Sequence, residues 1–305
     1  MVIPERDRIA CTIDGSTQLL GLIGNPVSHS LSPAMHNAAI ASLGLNFAYL
    51  PFPVAPHNVG AAVGGMAALG IRGFNITIPH KQAIRPFLQA TSDTAHAVGA
   101  VNTVYRLPDG SWGGTNTDVE GFTRPLPERD WRGRTVTILG AGGAARAVIQ
   151  GCLQLGFAGA NVVARSPERL ALLQANWPDF VRPVLWQELN SVLAQSHLMA
   201  NATPIGMHSD TDPEAEMRSP LSANEFAQLP SDAIVYDLIY VPRPTQFLSL
   251  AAQRGLIAID GLEMLVQQGA IALSLWLGGR EVPVDVMRAA AESQLHSSQL
   301  NAPNL

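Results

Sequence analysis

The stretch TVTILGAGGAARAVIQGCLQLG, residues 135–156, restricts the fold more than any other part of the chain. An apolar, β-branched run reads as a strand, a glycine-rich turn follows, and helical periodicity begins at once. Gly140, Gly142 and Ala145 fill the G-x-G-x-x-G/A positions. The first glycine permits a tight turn, the second lets a pyrophosphate approach the backbone, and the small third residue lets helix and strand pack closely. The strand before it and the helix after it make this a Rossmann-type dinucleotide signature, with Gly140, Ala141, Gly142, Gly143 and Ala144 as cofactor-binding candidates. The competing reading is a glycine-rich turn with no ligand. The next strand, ANVVARSPERL, sharpens the assignment. An NAD site commonly ends this strand on Asp or Glu, for the ribose hydroxyls. Here the chain carries Arg165, Ser166 and Arg169. Guanidinium groups match a phosphate dianion through paired hydrogen bonds, so NADP is expected over NAD. Solvated surface arginines are the bland alternative.

Short apolar runs alternate with helical patterns through most of the 305 residues, which argues for an α/β fold with mostly parallel sheets. QLLGLIG, NFAYLPF and GFNITIP read as strands, each followed by a helix. The Pro-Asp-Gly turn in AVNTVYRLPDGSWGGTNTD predicts a hairpin. A polar, charged segment, PERDWRGR, precedes the strand at 135 and places a boundary between about 120 and 132. NVVAR, HLMANATP, AIVYDLIY and LIAIDG continue the second series. Two domains are expected: residues 1–122, completed by about 260–305, and a Rossmann domain over 123–259, with a cleft between them.

The stretch GNPVSHSLSPAMHN, residues 24–37, gathers hydroxyls where a helix begins. Ser32 suits an N-cap and Pro33 the first helical position. Free N–H groups at a helix start also favour an anion, and Ser30 and Ser32 add hydroxyl donors. A formal net charge of −5 gives no basic signature for nucleic acid, yet leaves small anionic ligands possible. Cys11 and Cys152, the only cysteines, form no metal-type spacing and suit a reducing compartment. No His and carboxylate grouping suggests a metal site. The N-terminal MVIPERDRIACTIDG is too charged for a signal peptide, and GLEMLVQQGAIALSLWLGG is too short and polar for a membrane span. A cytoplasmic protein is the expectation.

Reduction of a carbonyl by hydride leaves negative charge on oxygen, so a proton donor must stand nearby. Candidates border the strands of the first domain: Asn75, Thr77 and Lys81 in FNITIPHK, Asn102 in GAVNT, and Asn116 and Asp118 in GTNTDVEGF. These pieces, with GNPVSHSLSPAMHN, GAGGAARA, NATPIGM, YDLIY and DGLEMLVQQGA, follow the order found in shikimate dehydrogenases, and the sequence closely resembles that family over about residues 20 to 285. The resemblance implies reversible, NADPH-dependent reduction of 3-dehydroshikimate to shikimate, in aromatic amino-acid biosynthesis. It implies that Ser30 and Ser32 bind the substrate carboxylate. Thr77, Asn102, Gln268 and Tyr240 would line the substrate pocket with the pair Lys81 and Asp118. Leu238, Gly261 and the NATPIGM loop would flank the nicotinamide, and Asp93 is counted with the cofactor-binding residues. Lys81 is the chosen general acid and base, a charged donor whose alternative is an exposed lysine at a helix start. Asp118 would position it. His29, inside the serine motif, reads as structural. One departure is Ala164 where many members carry Asn, which removes a polar contact on the adenosine side. Two other readings stay open: a dual quinate/shikimate dehydrogenase, and a non-catalytic NADP-binding sensor. Apolar positions on surface helices suggest a homodimer.

Overall fold

The structure, a computed structural model, describes residues 13–209 and 211–300. Cys11 lies outside these residues. The chain divides into two compact units, Met1–Thr117 with Gly269–Leu305, and Asp118–Gln268.

The first unit begins with β1 (Gln18–Gly24), α1 (Ser32–Ser42), β2 (Phe47–Pro53), α2 (Val59–Ala68) and β3 (Gly73–Ile76). It continues through β4 (Ala90–Thr91), α3 (Asp93–Val98), β5 (Thr103–Arg106) and β6 (Trp112–Thr115). The strands order as β2-β1-β3-β5-β6-β4. β1 runs parallel to β2 and β3, while β3, β5 and β6 pair antiparallel, so the predicted hairpin is present. Ile23, Val63, Phe74, Val101 and Trp112 form its buried core.

Two local expectations fail here. Ser32 is not the N-cap of α1. Leu31 holds that place without a side-chain bond, Ser32 is the first helical residue, and Pro33 follows it. The Ser30 hydroxyl accepts the Ser32 N–H instead (3.2 Å), so a side-chain oxygen one residue before the N-cap takes the first helical N–H. No α-helix follows β3 either. Residues 78–87 form turns and a 3-10 segment, Arg85–Phe87. Pro79 and Pro86 have no N–H to give, and the Lys81 carbonyl accepts from Val101 N–H (2.8 Å) rather than from a following turn. The helix-start alternative for Lys81 therefore lapses.

The second unit holds α4 (Asp118–Thr123), β7 (Thr135–Leu139), α5 (Gly143–Gln154), β8 (Gly159–Ala164), α6 (Pro167–Asn176) and β9 (Val181–Leu185). Next come β10 (Ser196–Asn201), α7 (Ala223–Phe226), β11 (Ile234–Asp237), α8 (Gln246–Gln253) and β12 (Ile257–Ile259). Its strands order as β12-β11-β10-β7-β8-β9, all parallel, which is Rossmann order with the switch point between β7 and β10. The helix α9 (Gly261–Trp276) starts in this unit and passes into the first at Gly269, where α10 (Val284–Leu300) packs on α1. The first division falls at 117/118, ahead of the 120–132 segment, because α4 packs on α5: a Cβ on Gly151 would meet Thr123 Cγ2 at 2.8 Å and Phe122 Cδ1 at 3.2 Å. Cys152 sits fully buried in this core, and burial pushes its thiol pKa far up, as expected for an inert side chain. Among the described residues no helix is long and apolar enough to cross a membrane.

Candidate active site

In the first unit, polar residues collect at the C-terminal ends of β1 and β3. Thr77 N–H donates to Ile23 O (2.9 Å) and Asn25 N–H to Ile78 O (3.0 Å), which fastens the serine loop to the segment after β3. Gly24 has no room for a side chain, since a Cβ would stand 2.3 Å from Thr77 Cγ2. Ile76 N–H donates to Asn102 O (2.8 Å), and the Val101–Lys81 bond adjoins it. Backbone bonds thus bring Thr77, Lys81 and Asn102 together. Thr77 and Lys81 are half-buried, and Asn102 is buried.

A buried polar network runs beneath them. The register pairs Asn75 with Thr103, and Asn75 Nδ2 donates to Thr103 Oγ1 (3.0 Å) and Asn102 O (3.2 Å). Asn75 Oδ1 therefore faces Tyr49 and accepts from its hydroxyl (2.7 Å). Burial raises the Tyr49 hydroxyl pKa and the Ser32 side chain acts the other way, which places the network beside the serine loop. Asn102 Oδ1 accepts from Thr117 N–H (2.7 Å) and Thr103 Oγ1 (3.0 Å). His36 closes the array. Its ring stacks on Tyr49 at 4.1 Å, and Nδ1 donates to Ser32 O (2.8 Å). Complete burial outweighs its backbone contacts and lowers its pKa to about 4, so the ring is neutral. Asn116 donates to Ala100 O (3.0 Å) and serves the backbone. His29 is exposed, whereas His80 is buried with Nε2 at 2.6 Å from Val54 O.

In the second unit, Gly140 has φ +103°, and a Cβ there would stand 2.9 Å from Ala202 O. Gly142 caps α5 without a side-chain bond, and a Cβ on Gly142 or Gly143 would meet nothing within 4 Å. The chain around the start of α5 is open on the side a side chain at either position would take, and Ala145 is buried behind it. Arg165 and Arg169 stand exposed beyond β8. Ser166 caps α6, accepting from Arg169 N–H (3.2 Å) and donating to Glu168 Oε2 (2.6 Å). An open glycine cradle at a helix N-terminus, with two arginines after the second strand, fits a dinucleotide with a 2′-phosphate.

The loop after β10 lies against the Gly140 turn, with Thr203 Cγ2 at 3.0 Å from a Cβ built on Gly140. Leu238 O lies 2.1 Å from the place a Cβ on Gly261 would take, so residue 261 must be glycine. Tyr240 is half-buried, and burial raises its pKa. Gln268 is buried and donates to Leu265 O (2.8 Å), while Gly121 admits its backbone: a Cβ there would meet Gln268 N at 2.9 Å. Asp118, half-buried, opens the same short helix α4. Asp93 is exposed in the first turn of α3, in the first unit.

The sequence reading missed Tyr49, His36, Thr103, Thr117 and Asp237. The visible signal was a polar residue inside an apolar run, as Asp237 stands in AIVYDLIY.

Fold and site define a two-unit α/β protein with a Rossmann-ordered dinucleotide-binding unit. Two family models match, a shikimate dehydrogenase substrate-binding domain over residues 22–104 and a shikimate 5'-dehydrogenase C-terminal domain over 261–292. A shikimate dehydrogenase (NADP(+)) of Synechococcus sp. (strain JA-2-3B'a(2-13)) is 60% identical over 283 residues, covering 93% of this chain and 98% of its own. A crystal structure of shikimate 5-dehydrogenase from Thermus thermophilus in complex with NADP(H) and shikimate matches with TM-score 0.79 at 33% identity, covering 91% of this chain and 99% of the other. The ligand-free 5-ketofructose reductase of Gluconobacter sp. strain CHM43 matches with TM-score 0.83 at 31% identity, covering 92% and 99%. The chain belongs to the shikimate dehydrogenase family.

Proposed function

We propose that this protein is an NADP-dependent shikimate dehydrogenase, which reduces 3-dehydroshikimate to shikimate reversibly in aromatic amino-acid biosynthesis. The observation that carries the reading is 60% identity, over 93% of the chain, to an enzyme of that name. The similar fold of a 5-ketofructose reductase shows that architecture alone does not choose the substrate.

The first unit binds the acid. Ser30 and Ser32 hold its carboxylate, and His36, stacked on Tyr49 and donating to Ser32 O, fixes the Ser32 backbone from behind. Thr77 and Asn102 orient ring hydroxyls, and Gln268 and Tyr240 are further substrate-binding residues. Lys81 Nζ gives its proton to the ketone oxygen as reduction proceeds and takes it back in the reverse direction. Asp118 positions the ammonium group and the reacting hydroxyl.

The second unit binds NADP, which when bound supplies or accepts the hydride. The α5 N-terminus with Gly140, Ala141, Gly142, Gly143 and Ala144 takes the pyrophosphate. Arg165, Ser166 and Arg169 take the 2′-phosphate, and Leu238 and Gly261 stand beside the nicotinamide. We place the enzyme in the cytoplasm as a homodimer, the latter checked by light scattering after size exclusion.

The test is an initial-rate matrix: shikimate, quinate or fructose as reductant, with NADP or NAD. Fast turnover confined to shikimate with NADP is expected. Turnover with quinate moves the assignment to the dual-specificity enzyme. NADP binding with no turnover favours the sensor.

A further inference from the structure

Asp237 ends β11 with a carboxylate that is fully buried. Among the described residues no lysine or arginine pairs with it, and burial, with Asp260 adding to it, raises its pKa to about 6. A buried carboxylate without a cation is costly unless donors surround it. Here Oδ1 accepts from Asn201 Nδ2 (3.0 Å) and Ile239 N–H (3.1 Å), and Oδ2 accepts from Thr245 Oγ1 (2.7 Å). The parallel register places Asn201 directly opposite Asp237, at the C-terminal ends of neighbouring strands.

The bonds continue on both sides. Asn201 Oδ1 accepts from Thr203 N–H (3.0 Å) and Thr203 Oγ1 (2.7 Å), and Thr203 Oγ1 accepts from Ile205 N–H (3.1 Å). Thr203 in turn lies against the Gly140 turn. On the other side Leu238 N–H donates to Asn201 O (3.0 Å), and the Leu238 carbonyl abuts Gly261. Thr245 caps α8 by accepting from Leu248 N–H (3.3 Å). One carboxylate therefore ties the 201–207 loop, the 238–239 backbone and the start of α8 into a single body. Among the described residues Asp237 is the only buried carboxylate.

We propose that Asp237 is a positioning residue, holding the 201–207 loop and Leu238 in the arrangement that receives the nicotinamide end of the dinucleotide. This rests on the reading of Leu238 and Gly261 as nicotinamide neighbours. Asp237 touches no ligand itself and acts through Asn201 and the Ile239 amide.

Two probes separate this role from general stability. NADPH carries both ends of the cofactor, and 2′,5′-ADP carries only the adenosine end. Binding of each is measured by calorimetry to wild type, Asp237→Ala, Asp237→Asn and Thr245→Val. Asp237→Ala should weaken NADPH by about tenfold or more, the equivalent of one to two lost hydrogen bonds, and leave 2′,5′-ADP within about twofold. Asp237→Asn keeps an acceptor for Asn201 and Ile239 and should recover most of the loss. Thr245→Val removes one donor of three and serves if Asp237→Ala does not fold, with a smaller loss confined to NADPH. Equal weakening of both probes, or no weakening of NADPH, overturns the proposal. Failure of wild type to bind 2′,5′-ADP overturns the Arg165 reading of the adenosine end, and this proposal with it.

Discussion

Acidification should weaken the first unit through one side chain, His36. Its folded pKa of about 4 lies below the ordinary 6.5 because the ring is wholly buried. Between these values the unfolded chain binds more protons than the native one, so stability falls as pH falls. The full effect is about 3 kcal/mol, present above pH 6.5 and gone below pH 4. By pH 5 about 2 kcal/mol of it is already lost. Asp237 works in the opposite sense. Its folded pKa of about 6 exceeds the ordinary 3.8, so its contribution weakens as pH rises through that window. The wild-type curve alone mixes the two, so the comparison is with His36→Gln, whose amide can still donate to Ser32 O. Urea unfolding at pH 7 and pH 5 should show the gap between wild type and variant narrowing by about 2 kcal/mol. Below that window, loss of the His36 prop should also disturb Tyr49 and Ser32, so shikimate affinity should fall with stability. A gap that stays constant from pH 7 to pH 5, or a His36 resonance (assigned by its loss in His36→Gln) titrating near 6.5 in the folded protein, refutes the reasoning.

Other outcomes follow from single positions. Arg165→Ala should raise the KM for NADP about 10–100-fold and that for NAD less than about threefold; equal changes remove the phosphate contact. Ser32→Ala should raise the KM for shikimate about tenfold with kcat less affected, since a hydroxyl donor to a carboxylate is lost; an unchanged KM contradicts the carboxylate site. Gly140→Ala places a Cβ 2.9 Å from Ala202 O at φ +103° and should cost about 1–3 kcal/mol; a thermal midpoint equal to wild type contradicts the strained turn.

Local chemistry was legible wherever one segment decides. The run 135–156 spelled strand, turn and helix, and the structure holds β7, the positive-φ Gly140 and α5 there. The hairpin at 103–115 was announced by its own Pro-Asp-Gly turn. Ser32 misled because its neighbour Ser30 supplies the same oxygen two residues earlier. The stretch after Thr77 misled because the helical pattern ignores where a carbonyl is taken by a distant strand, as Lys81 O is by Val101. Distant pairs were illegible for a similar reason. Asn201 and Asp237 meet only through the β10–β11 register, and Tyr49, Asn75 and Thr103 only through the order β2-β1-β3-β5. In a linear sequence these are isolated polar residues in apolar strands.

The most direct test of the catalytic account is Lys81→Ala, assayed for shikimate oxidation beside wild type, with NADPH binding measured on both. A fall in kcat of about 10²–10⁴-fold, with NADPH affinity unchanged and the KM for shikimate moved less, is the expected result. A variant that turns over shikimate at nearly the wild-type rate would contradict Lys81 as the proton donor and return the site to Asp118 and its neighbours.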